Sequence, residues 1–139
     1  MTASDLRQIL CQHPGLELGA GLDAGAVANA EQALGFRLPR ELAEFLSEVN
    51  GVFDGDGQWH VAWPVDRLVQ ENIRLAEDQH FPPGLVVFGD DGTGAPFCLG
   101  IDGSDEVVYT YSPIEARAWP LASRLSDFWL GWLSGTLTT

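Results

Sequence analysis

The sequence predicts an α+β fold: a single domain over residues 1–139, with a mainly antiparallel β-sheet and helices packed on one side of it. Three observations point there. Helical periodicity comes first in the chain, then short alternating or wholly apolar segments bounded by Gly, Pro and Asp, then helical periodicity again. That order groups the strands together, which argues against βαβ units. Hydrophobic residues make up 45% of the chain, with five Trp and seven Phe, which is enough for one core and excludes disorder as the default.

Ser4 is the expected cap of a first helix carrying Leu6, Ile9 and Leu10, which His13-Pro14-Gly15 ends. Residues 16–22 read as a Gly-rich connector, so residues 1–22 are an N-terminal helix and connector leading into a core over 23–139. Asp23 caps a second helix with Val27, Ala30 and Leu34 on its inner side and Gly35 at its end. Pro39, with its fixed φ and missing N–H, suits the first turn of a third helix. There Leu42, Phe45, Leu46 and Val49 recur at i, i+3, i+4, i+7 as one apolar stripe. Glu41, Glu44 and Glu48 lie off that stripe, and Arg40 and Glu44 are spaced for a weak ion pair. Asn50-Gly51 is the expected left-handed stop.

Asp54-Gly55-Asp56-Gly57 reads as a turn, and Trp59, Val61 and Trp63 alternate with His60 and Ala62 as a half-buried strand. Pro64 closes it. A helix with Asp66 at its start follows, carrying Val65, Leu68, Val69, Asn72, Ile73 and Ala76. Asn72 falls on the apolar stripe, so a buried Asn72 must be hydrogen-bonded, with loop backbone the expected partner. Phe81 to Gly84 breaks the chain before Leu85-Val86-Val87-Phe88, an apolar run that predicts a central strand covered on both faces. Gly89 to Gly94 is the next turn, its glycines supplying positive φ. Pro96 to Ile101 returns with Phe97, Leu99 and Ile101 on one face. Asp102 to Asp105 turns again, Val107, Tyr109 and Tyr111 alternate, and Arg117 to Leu121 adds a short edge strand. A last helix starts near Ser123, with Leu125, Phe128, Trp129, Trp132 and Leu133 at core spacing.

The charge narrows the function classes. Seven Arg, no Lys and 20 acidic residues give a net charge of −13. Such a surface repels phosphate backbones and anionic lipid, which speaks against direct nucleic-acid and membrane binding. It favours a basic partner, or serves solubility alone. The N-terminus lacks a basic region followed by an apolar stretch, and no apolar run reaches membrane-spanning length, so a cytoplasmic location is expected. Cys11 and Cys98 have no metal-ligand spacing, and Cys98 reads as a buried free thiol.

Motifs for chemistry fail on inspection. Asp54-Gly-Asp56-Gly-Gln58 begins like a calcium loop, but Val65 stands where a bidentate Glu is needed. The Gly89–Gly94 loop lacks the following helix and the Lys of a phosphate cradle. Asp90 and Asp91 are sequence neighbours, an unsuitable acid–base pair across a substrate bond. His13, His60 and His80 have no second ligand at metal spacing. No Gly-x-Ser-x-Gly elbow is present. No catalytic, cofactor-binding or metal-binding residue is assigned, and the expectation is a non-enzyme without cofactor.

One pattern is more specific. A helix ending in Leu34-Gly35, the bridge Phe36-x-Leu38-Pro39, an acidic amphipathic helix with Phe45, and Asn50-Gly51 together resemble the SUKH superfamily. The likeness continues through Glu71-Asn72, the loop holding Gly92 and Gly94, and the aromatic last helix, and so covers the chain from about Asp23. The superfamily includes bacterial toxin-immunity proteins and fungal regulators of cell-wall synthesis. Where relatives often carry a further acid after the second loop glycine, Ala95-Pro96 stands here. The resemblance implies binding of a cognate protein toxin, such as a basic nuclease domain; a regulatory scaffold is the alternative. The fungal relatives carry long disordered flanks and this sequence carries none, so immunity is the expectation. The acids expected to meet the partner are Asp54, Asp56, Asp90, Asp91, Asp102, Asp105 and Glu106.

Overall fold

The computed structural model describes residues 1–103 and 105–137. In chain order it contains α1 (Ala3–Leu10), β1 (Leu16–Ala20), α2 (Ala24–Leu34), α3 (Arg40–Glu48), β2 (Val49–Asp54), β3 (Trp59–Ala62), α4 (Val65–Ala76), β4 (Leu85–Asp90), β5 (Pro96–Gly100), β6 (Val108–Ser112), β7 (Arg117–Ala122) and α5 (Leu125–Ser134). The seven strands form one sheet in the order β1 to β7, each antiparallel to its neighbours. A single α+β domain results, as the grouped strand signals predict.

The core is aromatic. Phe88 of β4 and Phe97 of β5 meet Phe128 of α5, with ring centroids 5.7 and 4.8 Å away. Trp129 of α5 stacks on Phe45 of α3 at 5.5 Å, so α3 and α5 lie over the same face of the sheet. All five of these residues are at most 2% exposed. Helices do not keep to one side, however. Cys98 pairs with Tyr109 on the opposite face from Phe97. There Tyr111 packs on Phe81 and donates to the His80 carbonyl at 3.2 Å, just after α4. Both faces of the central strands are therefore covered, and Val86, Val87, Cys98 and Leu99 are all buried.

Four local expectations change. The Gly-rich stretch after α1 is strand β1, with Leu16 opposite Asp54 and Leu18 opposite Val52 at the sheet's edge. The α1 cap is Thr2 and not Ser4: Thr2 and Asp5 exchange side-chain and backbone bonds as a capping box. Asn50-Gly51 does not stop α3. The helix gives way at Val49 to extended backbone, and Asn50-Gly51 forms a bulge in β2 where the register with β1 shifts. Gly51 has φ +95° and lies where a Cβ would stand 2.9 Å from the Pro64 nitrogen, so the bulge needs glycine there. In β6 the buried positions are Val108 and Tyr111 and not an alternating Val107, Tyr109, Tyr111 set. Of the turn expected over Asp102–Asp105, Ser104 lies outside the described residues.

Asn72 is buried as its position on the stripe requires, but its partner is strand backbone and not a loop. Its amide nitrogen donates to the Val87 carbonyl at 2.7 Å and its Oδ1 accepts from the Val87 N–H at 2.9 Å. The same nitrogen also donates to the Leu68 carbonyl. Strand β3 pairs with β4 only at Ala62–Gly89, with one further bond from Trp63 N to the Phe88 carbonyl. Beyond that point α4 has replaced β3, and the Asn72 side chain supplies the donor and acceptor that the missing strand residue would have supplied.

Candidate functional site

An antiparallel meander sends alternate turns to opposite ends of the sheet. The β2–β3, β4–β5 and β6–β7 turns share one end, called here the loop end. The β5–β6 connection lies at the other, beside the start of α5. The seven acids named from the sequence are thereby divided. Asp54, Asp56, Asp90 and Asp91 are at the loop end; Asp102, Asp105 and Glu106 are at the opposite end.

The loop end is built around Trp59. Its indole N–H donates to the Asp90 carbonyl at 3.2 Å, tying the β2–β3 turn to the β4–β5 turn. The ring also closes over Gly57 and Gly92, where an added Cβ would stand 1.8 and 3.1 Å from it. Asp54 Oδ1 accepts from the N–H groups of Asp56 and Gly57, so the aspartate closes a hairpin turn. Asp90 is a structural carboxylate: Oδ2 accepts from the Trp63 indole at 3.0 Å and Oδ1 from the Gly92 N–H at 2.7 Å. Arg67, which also lies over the Trp63 ring, approaches Asp90 at 3.7 Å. Asp91 Oδ1 accepts three bonds, from Thr93 N, Thr93 Oγ1 and Ala95 N. The loop is thus set by its own acids, with Gly92 and Gly94 at positive φ; Gly89 belongs to β4, where a Cβ would stand 1.8 Å from the Val61 carbonyl oxygen.

Among the described residues, Asp90 is the loop-end acid with an ion pair; Asp54, Asp56, Asp91 and the turn residue Glu115 have none. At the opposite end acids and arginines interleave. Arg40 meets Glu44 at 2.9 Å and Arg124 meets Glu106 at 3.6 Å, around a bowl of about 260 Å³ that Glu41 also lines. Glu41 accepts from the Leu125 N–H at 3.1 Å and so caps α5, whose own cap residue Arg124 offers no side-chain acceptor. Burial pushes its carboxyl above the usual range, with the Leu125 N–H opposing. Asp105 accepts from Val107 N and the Tyr109 hydroxyl.

Cross-element caps of this kind escaped the sequence reading. Asn50 Oδ1 accepts from Val65 N at the start of α4, and Glu31 Oε2 from Leu38 N. The signal for the first was present: Pro64 begins a helix without any Ser, Thr, Asp or Asn to cap it. Also missed were Ile114 and Trp119 in and beside the β6–β7 turn. The chemistry-bearing groups are quiet. Cys98 is a buried free thiol whose pKa burial pushes up to about 12. His60 sits edge-on to Phe53 at 5.0 Å, and burial lowers its pKa, reinforced by Arg67 and opposed by Asp90. Among the described residues no group of three or more His, Cys, Asp or Glu is arranged to hold a metal ion, and no helix is long and apolar enough to cross a membrane.

The family model described as the SMI1/KNR4 family (SUKH-1) matches residues 21–130. The chain belongs to that family. A search of curated proteins finds no match. The SUKH-1 match runs from just before the α2 cap to the middle of α5, as the resemblance from about Asp23 anticipates, and leaves α1 and β1 outside it. Membership accords with a role in immunity or in regulatory protein interaction, and the SUKH-1 family is generally non-catalytic.

Proposed function

We propose that this SUKH-1 domain is an immunity protein that binds a cognate bacterial toxin in the cytoplasm and neutralises it by covering a basic surface, such as the substrate face of a nuclease domain. Family membership carries the reading. The net charge of −13 and the loop-end acids without ion pairs support a basic partner. The Asp54 and Asp91 carboxylates, already held in place by their own turns, lose little conformational freedom on binding, and the field of the acidic end speeds encounter. Among the four acids at the loop end, Asp54, Asp56 and Asp91 are the favoured contacts, because Asp90 is engaged by Arg67 within the chain.

The deciding experiment is co-expression with the toxin domain encoded beside this gene. Growth should be restored, and the association rate should fall steeply between low and physiological salt. Persistent toxicity despite soluble expression would refute neutralisation. Binding without protection would instead fit a regulatory interaction domain.

A further inference from the structure

The loop end carries more than charge. Ile114, at the tip of the β6–β7 turn, is 96% exposed, against 64% for Met1, 47% for Ile73 and 40% for Leu130. The turn around it is held on both sides. Pro113 precedes it, Ser112 Oγ accepts from the Glu115 N–H at 3.2 Å, and Ala116 takes the left-handed conformation at φ 53°. Beside the turn lies a groove of about 420 Å³, walled by the β4–β5 loop on one side and β6–β7 on the other. Ala95, Tyr111, Pro113 and Trp119 give it apolar surface, and Asp91 stands on its rim. Arg117 lies over the Trp119 ring at 4.7 Å, so that indole already holds a cation on its face. Asp91 uses only Oδ1 in its three loop bonds, which leaves Oδ2 facing no partner among the described residues.

We infer that the Ile114 turn and the adjoining Asp91–Trp119 groove form a docking face for a basic, partly apolar protein segment. Its aliphatic or aromatic side chain would fill the groove beside Ile114, while its Arg or Lys residues meet Asp91 and Glu115. Charge complementarity selects this occupant. A second copy of the chain, with the same excess of acids, would bring like charges together, and a nucleic acid would be repelled. The bowl at Glu106 also has an apolar group at its surface, Met1 at 64% exposed, but its Glu44 and Glu106 are already paired with arginines of the same chain, whereas Ile114 stands beside acids without an ion pair among the described residues. The inference rests on the partner-binding reading above and specifies where that partner sits.

The test is an amide-resolved NMR titration of the full chain with the synthetic peptide acetyl-Arg-Leu-Lys-Phe-Arg-Lys-amide, with hexa-arginine as the charge-only control. Saturable shifts should concentrate on residues 91–95 and 110–119. Ile114→Ser, at a fully solvated position, should weaken the mixed peptide by about tenfold and leave hexa-arginine unchanged, since tenfold corresponds to one buried apolar side chain. Asp91→Asn keeps the loop bonds and should weaken both peptides. Shifts spread equally over both ends of the sheet, or no saturation, would overturn the docking face. The two readings fail separately. Growth rescue indifferent to Ile114→Ser and Trp119→Ala would overturn this face alone. Localised peptide binding without rescue would overturn neutralisation alone.

Discussion

At the end of the sheet near α5, Glu44 and Glu106 face Arg40 and Arg124, and Glu41 spends an oxygen on the first N–H of that helix. At the loop end, Asp54 and Asp91 bind only the amides and hydroxyl of their own turns, and Glu115 stands in solvent beside an exposed isoleucine. Both ends are acidic and both use acids to finish the fold, but at the loop end most of those acids, Asp90 excepted, have no ion pair among the described residues. Net charge therefore says little about where a partner binds. What separates the two ends is the share of carboxylates that an arginine of the same chain has answered: Glu44 and Glu106 at one end, but at the loop end Asp90 and not Asp54, Asp56, Asp91 or Glu115.

Four substitutions probe that contrast, beginning with the join between β3 and β4 that both ends depend on. Asn72→Leu strands the buried Val87 N–H and carbonyl, and should lower unfolding stability by about 3 kcal/mol or more in a urea titration. A loss under 1 kcal/mol would mean that the amide is dispensable to the sheet. Next, Asp90→Ala should cost about 2 kcal/mol, because the Trp63 indole and the Gly92 N–H both lose their acceptor, whereas Asp91→Asn should stay within about 0.5 kcal/mol. Equal costs for these neighbours would erase the distinction between acids that build the loop end and acids it merely displays. The smallest effect concerns Glu41. Its folded-state carboxyl titrates above the unfolded one, so the folded state binds the extra proton and stability falls as pH rises through that window. Glu41→Gln keeps an acceptor for Leu125 but cannot titrate. Its melting temperature should gain on the wild type as pH rises from about 4.5, and a pH-independent difference would contradict a partly buried Glu41.

Much of this was legible in the sequence. Asp23 caps α2 through a 2.8 Å bond to Ala26 N, Gly35 ends it at φ 84°, and the stripe of α3 buries Leu42, Phe45 and Leu46. The apolar run at Leu85–Phe88 is the fourth of seven strands, in the middle of the sheet. These features are local, so periodicity and capping residues reveal them. Strand β1 was hidden because its two inward leucines, Leu16 and Leu18, sit among glycines whose purpose is close approach: a Cβ on Gly19 would lie 2.0 Å from the Asn50 carbonyl oxygen. The role of Asn50-Gly51 was misread because an Asn-Gly pair suits a helix stop and a strand bulge equally well, and only the distant Val65 N–H decides between them. The division of the acids between two ends follows from strand order, which no single segment encodes.

The link between β3 and β4 has one more consequence. One residue pair, one further backbone bond and the Asn72 amide join the strands, and the Trp59 and Trp63 indoles close the same seam at the loop end through Asp90. Asp54 and Asp56 lie on one side of that seam, Asp91 and Glu115 on the other. The spacing of the acidic rim is therefore fixed by a handful of bonds, and slow hydrogen exchange at the Val87 amide is the sign that the seam is shut.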